Sequence, residues 1–347
     1  MLQKQDFITL AKTVAKANPS ASVALQYGNE SFSYNELHET LRNEFNEIAG
    51  TNELYRENKN LVFSLVESAI NEVLPEKVLN RYMDFAETKV FAQGDRPVFT
   101  RKLGRMRAKQ FITKVGLAGV YEVFKLAGES FDVQTSAIGG AAQIGFEEFL
   151  DGRADFAEVI NIVLEGMDEL IYREVAAALL ASIESLPAAN RAAVAGFDEV
   201  ALDRLISVAS VYGAPTIYCT REFAVKMLPA DAWVSDAMKD ARWNVGYLAN
   251  YKGCRVVILP QSFEDETNAK KVIDPGYIWI IPSGAEKPVK IAFEGTAHSR
   301  ERENEDWSRD FQIYQKVGVV VMMTNNLCSY VDTSLKGKMD TLPVVGA

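Results

Sequence analysis

The sequence predicts an α+β fold, with helices and extended segments segregated along the chain instead of alternating. Three stretches predict it. Residues 151–186 carry one long helix, residues 88–144 trade helical periodicity for strand-like alternation with glycine bends, and residues 289–332 read as long strands. A mixed segment of short helices and strands separates the long helix from the terminal strands.

Residues 1–85 read as a helical arm. Phe7, Ile8, Ala11 and Val14 make a short amphipathic face that ends before Asn18 and Pro19. Ser33 and Glu36 form a capping box: the serine covers an orphan N–H and the glutamate reaches back. Leu37, Leu41, Phe45 and Ile48 follow on one face. A further helix carries Val62, Phe63, Val66, Ala69, Ile70 and Val73, and Pro75 is expected to end it. Such thin-faced helices need a partner surface.

From residue 88 the character changes. A short strand at 89–92 precedes a turn at Gly94 and Asp95. Arg96, Arg101, Lys102, Arg105, Arg107, Lys109 and Lys114 then follow with no acidic residue among them. Arg105, Arg107 and Lys109 alternate with Met106 and Ala108, which puts the charges on one face of a strand. Tyr121, Val123 and Lys125 alternate likewise in a returning strand, and Gly116, Gly119, Gly128, Gly139 and Gly140 mark bends. The reading is a basic, extended hairpin. An isolated two-stranded hairpin is at best marginally stable in water, so it must lie on something.

In the long helix, Phe156, Val159, Ile160, Val163, Leu164, Met167, Leu170, Ile171, Val175 and Leu179 recur at three- and four-residue steps. Asp155, Glu158, Asn161, Glu165, Asp168, Glu169 and Arg173 fall between them as a wet stripe. Asp151 or Asp155 can cap the start, and Pro187 stops it after Ile183. About thirty residues make a rod of roughly 45 Å. Residues 187–196 read as an Ala-rich linker, and residues 197–285 as a compact α/β lobe. In the lobe helices are expected at 197–211, at 221–228 behind Thr220, and at 235–250 with Gly253 as terminator. Its strands are expected at 216–219, 254–259 and 277–281. Strands at 289–293, 311–323 and 327–332 end the chain, with a charged loop at 299–306 and a loose tail from Lys336.

The bulk numbers fit a soluble globular chain of 347 residues, with 48% apolar and 24% charged residues. No apolar run is long enough for a bilayer span and no signal peptide is visible, so no membrane is expected. Cys219, Cys254 and Cys328 are scattered, suit a reducing compartment and rule out a disulfide framework. A net charge of −10 argues against the whole molecule coating nucleic acid. His38 and His298 are the only histidines and read as surface residues, so nucleophile–base catalysis has few players. No zinc spacing, phosphate loop or dinucleotide glycine motif is present. Neither catalytic residues, a metal nor a cofactor are expected. The basic hairpin has two functional readings, nucleic-acid contact and an arm pairing with acidic surface on a neighbouring copy; the intersubunit arm ranks first.

The order of parts resembles the major capsid proteins of tailed bacteriophages, the HK-97-like shell fold. The residues carrying the resemblance are 144–183 with Phe146, Glu147, Glu148 and Phe149 leading in, the run from Tyr251 to Pro260, and Asp306 to Phe311 leading into Val317 to Val321. On this resemblance residues 1–85 are the N-arm and 86–143 the extended loop. Residues 144–190 with 286–335 form the P-domain, 191–285 the A-domain, and 336–347 a tail. The resemblance implies hexamers and pentamers of an icosahedral head around double-stranded DNA, held without sequence specificity. Scaffold, portal and decoration proteins are implied as partners, and assembly in the bacterial cytoplasm. Intersubunit contacts are expected between Arg96, Arg101, Lys102, Arg105, Arg107 and Lys109 and the acidic Glu158, Glu165, Asp168 and Glu169. Encapsulin shells share the fold and stand as the alternative. An α/β enzyme with its site in 191–285, and a DNA-binding module built on residues 96–114, are the readings from other classes.

Overall fold

The computed structural model describes residues 9–10, 13–14, 25–27, 30–49, 51–101, 129–144, 156–227, 236–263, 267–268, 271–283, 287–303, 309–322 and 325–337. In chain order its elements are β1 (Leu25–Tyr27), β2 (Glu30–Phe32), α1 (Tyr34–Ala49), α2 (Asn52–Tyr82), β3 (Ala86–Phe91), β4 (Val98–Arg101), β5 (Glu129–Asp132) and β6 (Ser136–Ile144). Then come α3 (Phe156–Ser182), β7 (Arg191–Val194), α4 (Glu199–Ser210), β8 (Ala214–Cys219), α5 (Arg221–Lys226) and α6 (Asp236–Val245). The strands β9 (Asn250–Tyr251), β10 (Cys254–Ile258), β11 (Tyr277–Ser283), β12 (Val289–Glu303), β13 (Arg309–Val321) and β14 (Cys328–Asp332) complete it. Two compact units result. The first gathers Met1–Asn80, Thr88–Asp168 and Lys290–Met322; the second gathers Arg81–Glu87, Glu169–Val289 and Met323–Ala347.

In the first unit the capping box forms as its spacing dictates. The Ser33 N–H donates to Glu36 Oε2 at 2.8 Å, and the Glu36 N–H donates to Ser33 Oγ at 3.3 Å. These bonds hold the Glu36 carboxyl below its usual range. Replacing Ser33 by Ala should cost about 1 kcal/mol of α1 stability, read as faster amide exchange in the first turn of α1 with α2 unchanged. The expected stop at Pro75 does not occur, and α2 runs through it for 31 residues. Proline in a helix interior costs about 3 kcal/mol or more. Val73, Leu74 and Val78 are all buried, so the apolar face continues across the proline and offsets that loss.

The four-stranded sheet of this unit has the order β3-β12-β13-β6, and β13 pairs antiparallel with β6 from Arg309↔Ile144 to Val317↔Ser136. Gly139 and Gly140 lie inside β6 and mark no bend. A Cβ at Gly139 would stand 2.2 Å from the Ile313 carbonyl oxygen, so the glycine permits close approach of β13. Ser299 to Glu303 extend β12 where a charged loop was expected, because α2 supports this strand. The Ala297 N–H donates to Asn71 Oδ1 at 2.6 Å, and the Ser299 N–H and hydroxyl both donate to Glu67 Oε1 at 2.7 Å.

The second unit is built on a six-stranded mixed sheet, β7-β14-β11-β8-β10-β9. The expected linker at 187–196 is partly a strand: β7 pairs parallel with β14, and buried Asn190 donates to the carbonyls of Asn325 and Leu327 at 2.7 and 3.0 Å. The last strand, expected beside the long helix, lies within this sheet, between β7 and β11, with every residue of β14 buried. A strand buried along its whole length belongs inside a covered sheet. One sheet face packs Ile217, Cys219, Ile278, Ile280, Cys328 and Tyr330 into a core with residues of α4 and α5. On the other side Phe85 meets Tyr218 edge-on at 5.1 Å, and Tyr82 joins Phe85 to Tyr172 of α3. Asp198 caps α4, its Oδ1 accepting from Val200 and Ala201. The helix expected at 235–250 ends at Val245, ahead of Gly246 at φ +88. Lys252 and Gly253 both have positive φ and form the two-residue turn between β9 and β10.

The long helix α3 spans 27 residues, about 40 Å. Leu164, Met167, Ile171, Val175 and Leu179 are buried as their spacing predicts, whereas Leu170, expected on the same face, is exposed. Pro187 follows a short 3-10 turn at Ile183–Ser185.

Candidate functional site

The basic excursion starts from a stem that the structure places directly. β4 and β5 pair antiparallel, Val98↔Asp132 through Arg101↔Glu129, and form a two-stranded sheet of their own. Residues 102–128 leave from its end, so Lys102, Arg105, Arg107, Lys109 and the expected returning strand lie outside the described residues. Arg96 is exposed and ion-paired with Asp132 across the foot of the stem. Arg101 stands at the last stem position, opposite Glu129.

The stem is held at its base by aromatic packing. Phe99 is buried and meets Phe91 of β3 edge-on at 5.8 Å. The Lys89 ammonium lies 4.9 Å from the Phe99 ring centroid and that of Lys290, only 1% exposed, lies 6.0 Å away. Between β3 and β4, and between β5 and β6, two short linkers connect the stem to the four-stranded sheet. Both reach Glu294 of β12, which is 9% exposed. Thr135 donates its hydroxyl to Glu294 Oε2, Lys316 Nζ sits 3.1 Å from Oε1, and the Gly94 backbone adds a weaker pull on the same carboxylate.

The acidic stripe of α3 is narrower than its spacing suggests. Glu158 lies in α3 with its side chain outside the described residues, and Glu165 is exposed. Asp168 is only 5% exposed, which corrects its placement in the wet stripe: it lies on the same helical face as Leu164 and Ile171. Glu169 accepts from Arg173 at 2.9 Å and from the Ser262 hydroxyl at 3.2 Å, so it is partly committed within its own subunit. Within its own subunit Arg96 pairs with Asp132. Glu294, Thr135 and Lys316 were not singled out by sequence reasoning; the signal for them was Gly295 and Gly318, glycines inside strand patterns.

Elsewhere the polar groups tie chain segments together. Asp332, fully buried, accepts from the N–H groups of Gly196 and Ser334, both at 2.8 Å, and from the Ser334 hydroxyl at 2.6 Å. Lys226 approaches its other oxygen at 3.5 Å. Burial pushes the thiols of Cys219 and Cys328 up to about 12, and that of Cys254 upward too, so all three stay protonated at neutral pH. His298 is half-buried against Tyr314, ring centroids 5.4 Å apart. Among the described residues no cluster of His, Cys, Asp and Glu could hold a metal ion. A cleft of about 240 Å³ in the second unit is lined by Asp84, Thr216, Tyr218, Arg255 and Ser283. Small-molecule pockets run from about 300 to 1,000 Å³, so it falls below that class.

A protein-family model described as "SPbeta prophage-derived putative capsid protein YonB" matches residues 7–332. No curated protein matches the sequence. Among solved structures, the capsid of cyanophage P-SCSP1u matches with a TM-score of 0.50 at 9% identity, covering 72% of this chain and 87% of that one. The mature capsid of bacteriophage PhiM1 gives 0.49 at 8% identity, covering 73% and 87%. The holo-SrpI encapsulin complex from Synechococcus elongatus PCC 7942 gives 0.44 at 9% identity, covering 74% and 87%. At such identities likeness speaks to the fold alone.

Proposed function

The chain belongs to the YonB family of SPbeta prophage-derived capsid proteins, and from that membership we propose that its copies close into the hexamers and pentamers of an icosahedral phage head around double-stranded DNA. Its fold is the α+β, HK-97-like fold of tailed-phage shells, and its role is structural, as a self-assembling subunit of a virion capsid. The observation that carries the reading is the family match over residues 7–332. The stem supports it: among the described residues β4 and β5 pair only with each other, and the segment between them is strongly basic, the build of an arm that a neighbour completes.

In this reading residues 1–85 serve as the N-terminal arm, with α2 docked on β12 as its fixed end. Residues 86–143 are the extended loop, residues 144–190 with β12 and β13 the spine region, and residues 191–285 with β14 the lobe. Arg101, Lys102, Arg105, Arg107 and Lys109 land on a neighbour's Glu158 and Glu165, while the buried Asp168 drops out. Heterologous contacts of this kind close into rings. The subunit carries out no group transfer, meets scaffold and portal proteins during assembly in the bacterial cytoplasm, and encloses DNA without reading its sequence.

Negative-stain microscopy and sedimentation of the purified full chain test the proposal. Rings or closed shells are expected. A chain that stays monomeric at high concentration overturns it, and shells that co-purify with an enzyme cargo instead of DNA and a portal turn it toward an encapsulin-like compartment.

A further inference from the structure

We propose that Glu294 is the positioning residue of the basic arm: it grips both linkers at the root of the stem and presets the direction in which the stem leaves the sheet before any neighbour is present. The inference rests on reading residues 102–128 as an intersubunit arm. Its geometry lies wholly within the first unit. The linker at 92–97 enters the stem and the linker at 133–135 leaves it, and the two meet where the Val133 N–H donates to the Pro97 carbonyl at 2.9 Å. That bond closes the stem but does not orient it. Orientation comes from Glu294, which accepts from Thr135 on the outgoing linker, draws more weakly on the Gly94 backbone of the incoming one, and holds Lys316 of β13 against the same carboxylate.

Each linker also has a glycine seat on the sheet. Gly295, at φ +71, follows Glu294 directly, and a Cβ there would stand 3.2 Å from Gln93 Cβ. At Gly318 of β13 a Cβ would stand 2.4 Å from the Gln134 carbonyl oxygen and 2.8 Å from Val133 Cγ1. Both linkers therefore press onto β12 and β13 at positions where a side chain would hold them off. The seats set the height of the root and the carboxylate fixes its rotation.

Charge keeps the grip closed. The bond from Thr135, then that from Lys316, hold the Glu294 carboxyl below its usual range despite burial, with the Gly94 N–H adding to them. A group held low is ionised at neutral and mildly acid pH, so the root is locked under those conditions. A preset arm loses less freedom on docking than one ordered only by its partner.

Amide hydrogen exchange on the unassembled full chain tests this. In Glu294→Ala, the Val133 amide and the β4–β5 ladder should exchange at least about tenfold faster, while the β6–β13 ladder keeps its protection. Glu294→Gln, which retains an acceptor for Thr135 but no charge toward Lys316, should fall between. The swapped pair Glu294→Lys with Lys316→Glu restores the ion pair but leaves no acceptor at 294, so the stem should stay as loose as in Glu294→Ala; protection regained there would overturn the grip on the linkers. Stem exchange unchanged in Glu294→Ala overturns the proposal, as does an equal acceleration in the β6–β13 ladder, which would make the residue ordinary sheet support. A loosened stem alongside unimpaired shell assembly also overturns the positioning role. Because exchange is read on free subunits, a chain that never forms shells refutes the proposed function and still leaves the grip on the stem measurable.

Discussion

Replacing Asp332 by Ala should remove about 3 kcal/mol of stability from the second unit, measured by denaturant unfolding of the free subunit. The carboxylate is fully buried at the end of β14 and gathers the corner that leads from β7 into α4. It accepts from the backbone of Gly196 and Ser334 and from the Ser334 hydroxyl. The half-buried Gly196 N–H would lose a charged acceptor worth about 1.5–3 kcal/mol, whereas the exposed Ser334 can turn to water. Lys226 is partly exposed and can return to water, so it adds little to the loss. Tyr330 braces the same corner, its hydroxyl donating to the Gly196 carbonyl at 2.7 Å and accepting from the Asp198 N–H at 2.9 Å. That brace should keep the variant folded. Asp332→Asn keeps the oxygen that accepts most of these bonds and should cost only about 1 kcal/mol.

The same residue gives the unit a pH dependence of defined sign. Burial alone would raise the Asp332 carboxyl, but the Ser334 hydroxyl, the N–H groups of Gly196 and Ser334 and the Lys226 ammonium together hold it below the usual aspartate range. A depressed folded value means the stabilisation is fully present above the unfolded value and disappears as pH falls through the folded one. Unfolding free energy should therefore fall with acid below about pH 4, and Asp332→Asn should flatten that slope. An unchanged slope in the variant would remove Asp332 from the acid response.

What the residue pattern announced, and what it hid, follows from the range of the forces involved. The burial of most of the α3 face and the box at Ser33 and Glu36 depend on neighbours three or four positions apart, and these formed as spaced, although Leu170 turned outward. Pro75 misled because a local rule met a tertiary gain: Val78 continues the buried face of Leu74, and that burial carried the helix on. Asp168 misled in the opposite way, since a carboxylate between apolar positions reads as wet until its angular place on the helix is known. β14 and β7 could not be assigned to one sheet from the chain order, because parallel pairing between distant segments leaves no local trace. The root at Glu294 was least legible. Its partners are Thr135 and Lys316, and only the glycines at 295 and 318 hinted that backbone comes close there.

Reversing both Arg105 and Arg107 to Glu should abolish rings and shells in sedimentation and microscopy while leaving the helix content of the free subunit unchanged. The segment from Lys102 to Lys114 carries no acidic residue, in a chain whose net charge is −10, so a neighbour presents mostly negative surface to it. An exposed ion pair contributes only about 0–1 kcal/mol, which is too little to hold a dimer. In the proposed ring every subunit would offer one arm and receive another, so repetition changes the sum. Reversal turns each attraction into a repulsion, so the penalty also repeats around the ring. Exposed charge pairs are screened beyond a Debye length of about 10 Å at 0.1 M salt and more strongly as salt rises, so rising salt should weaken assembly of the parent chain in the same direction. Two further variants separate charge complementarity from general acidity. Reversing Lys239, which pairs with Asp236 on an exposed helix, should leave assembly intact. Combining the reversed arm with Glu158→Lys and Glu165→Lys should bring rings back. Normal shells from the reversed arm alone would mean that residues 102–128 do not make the intersubunit contact.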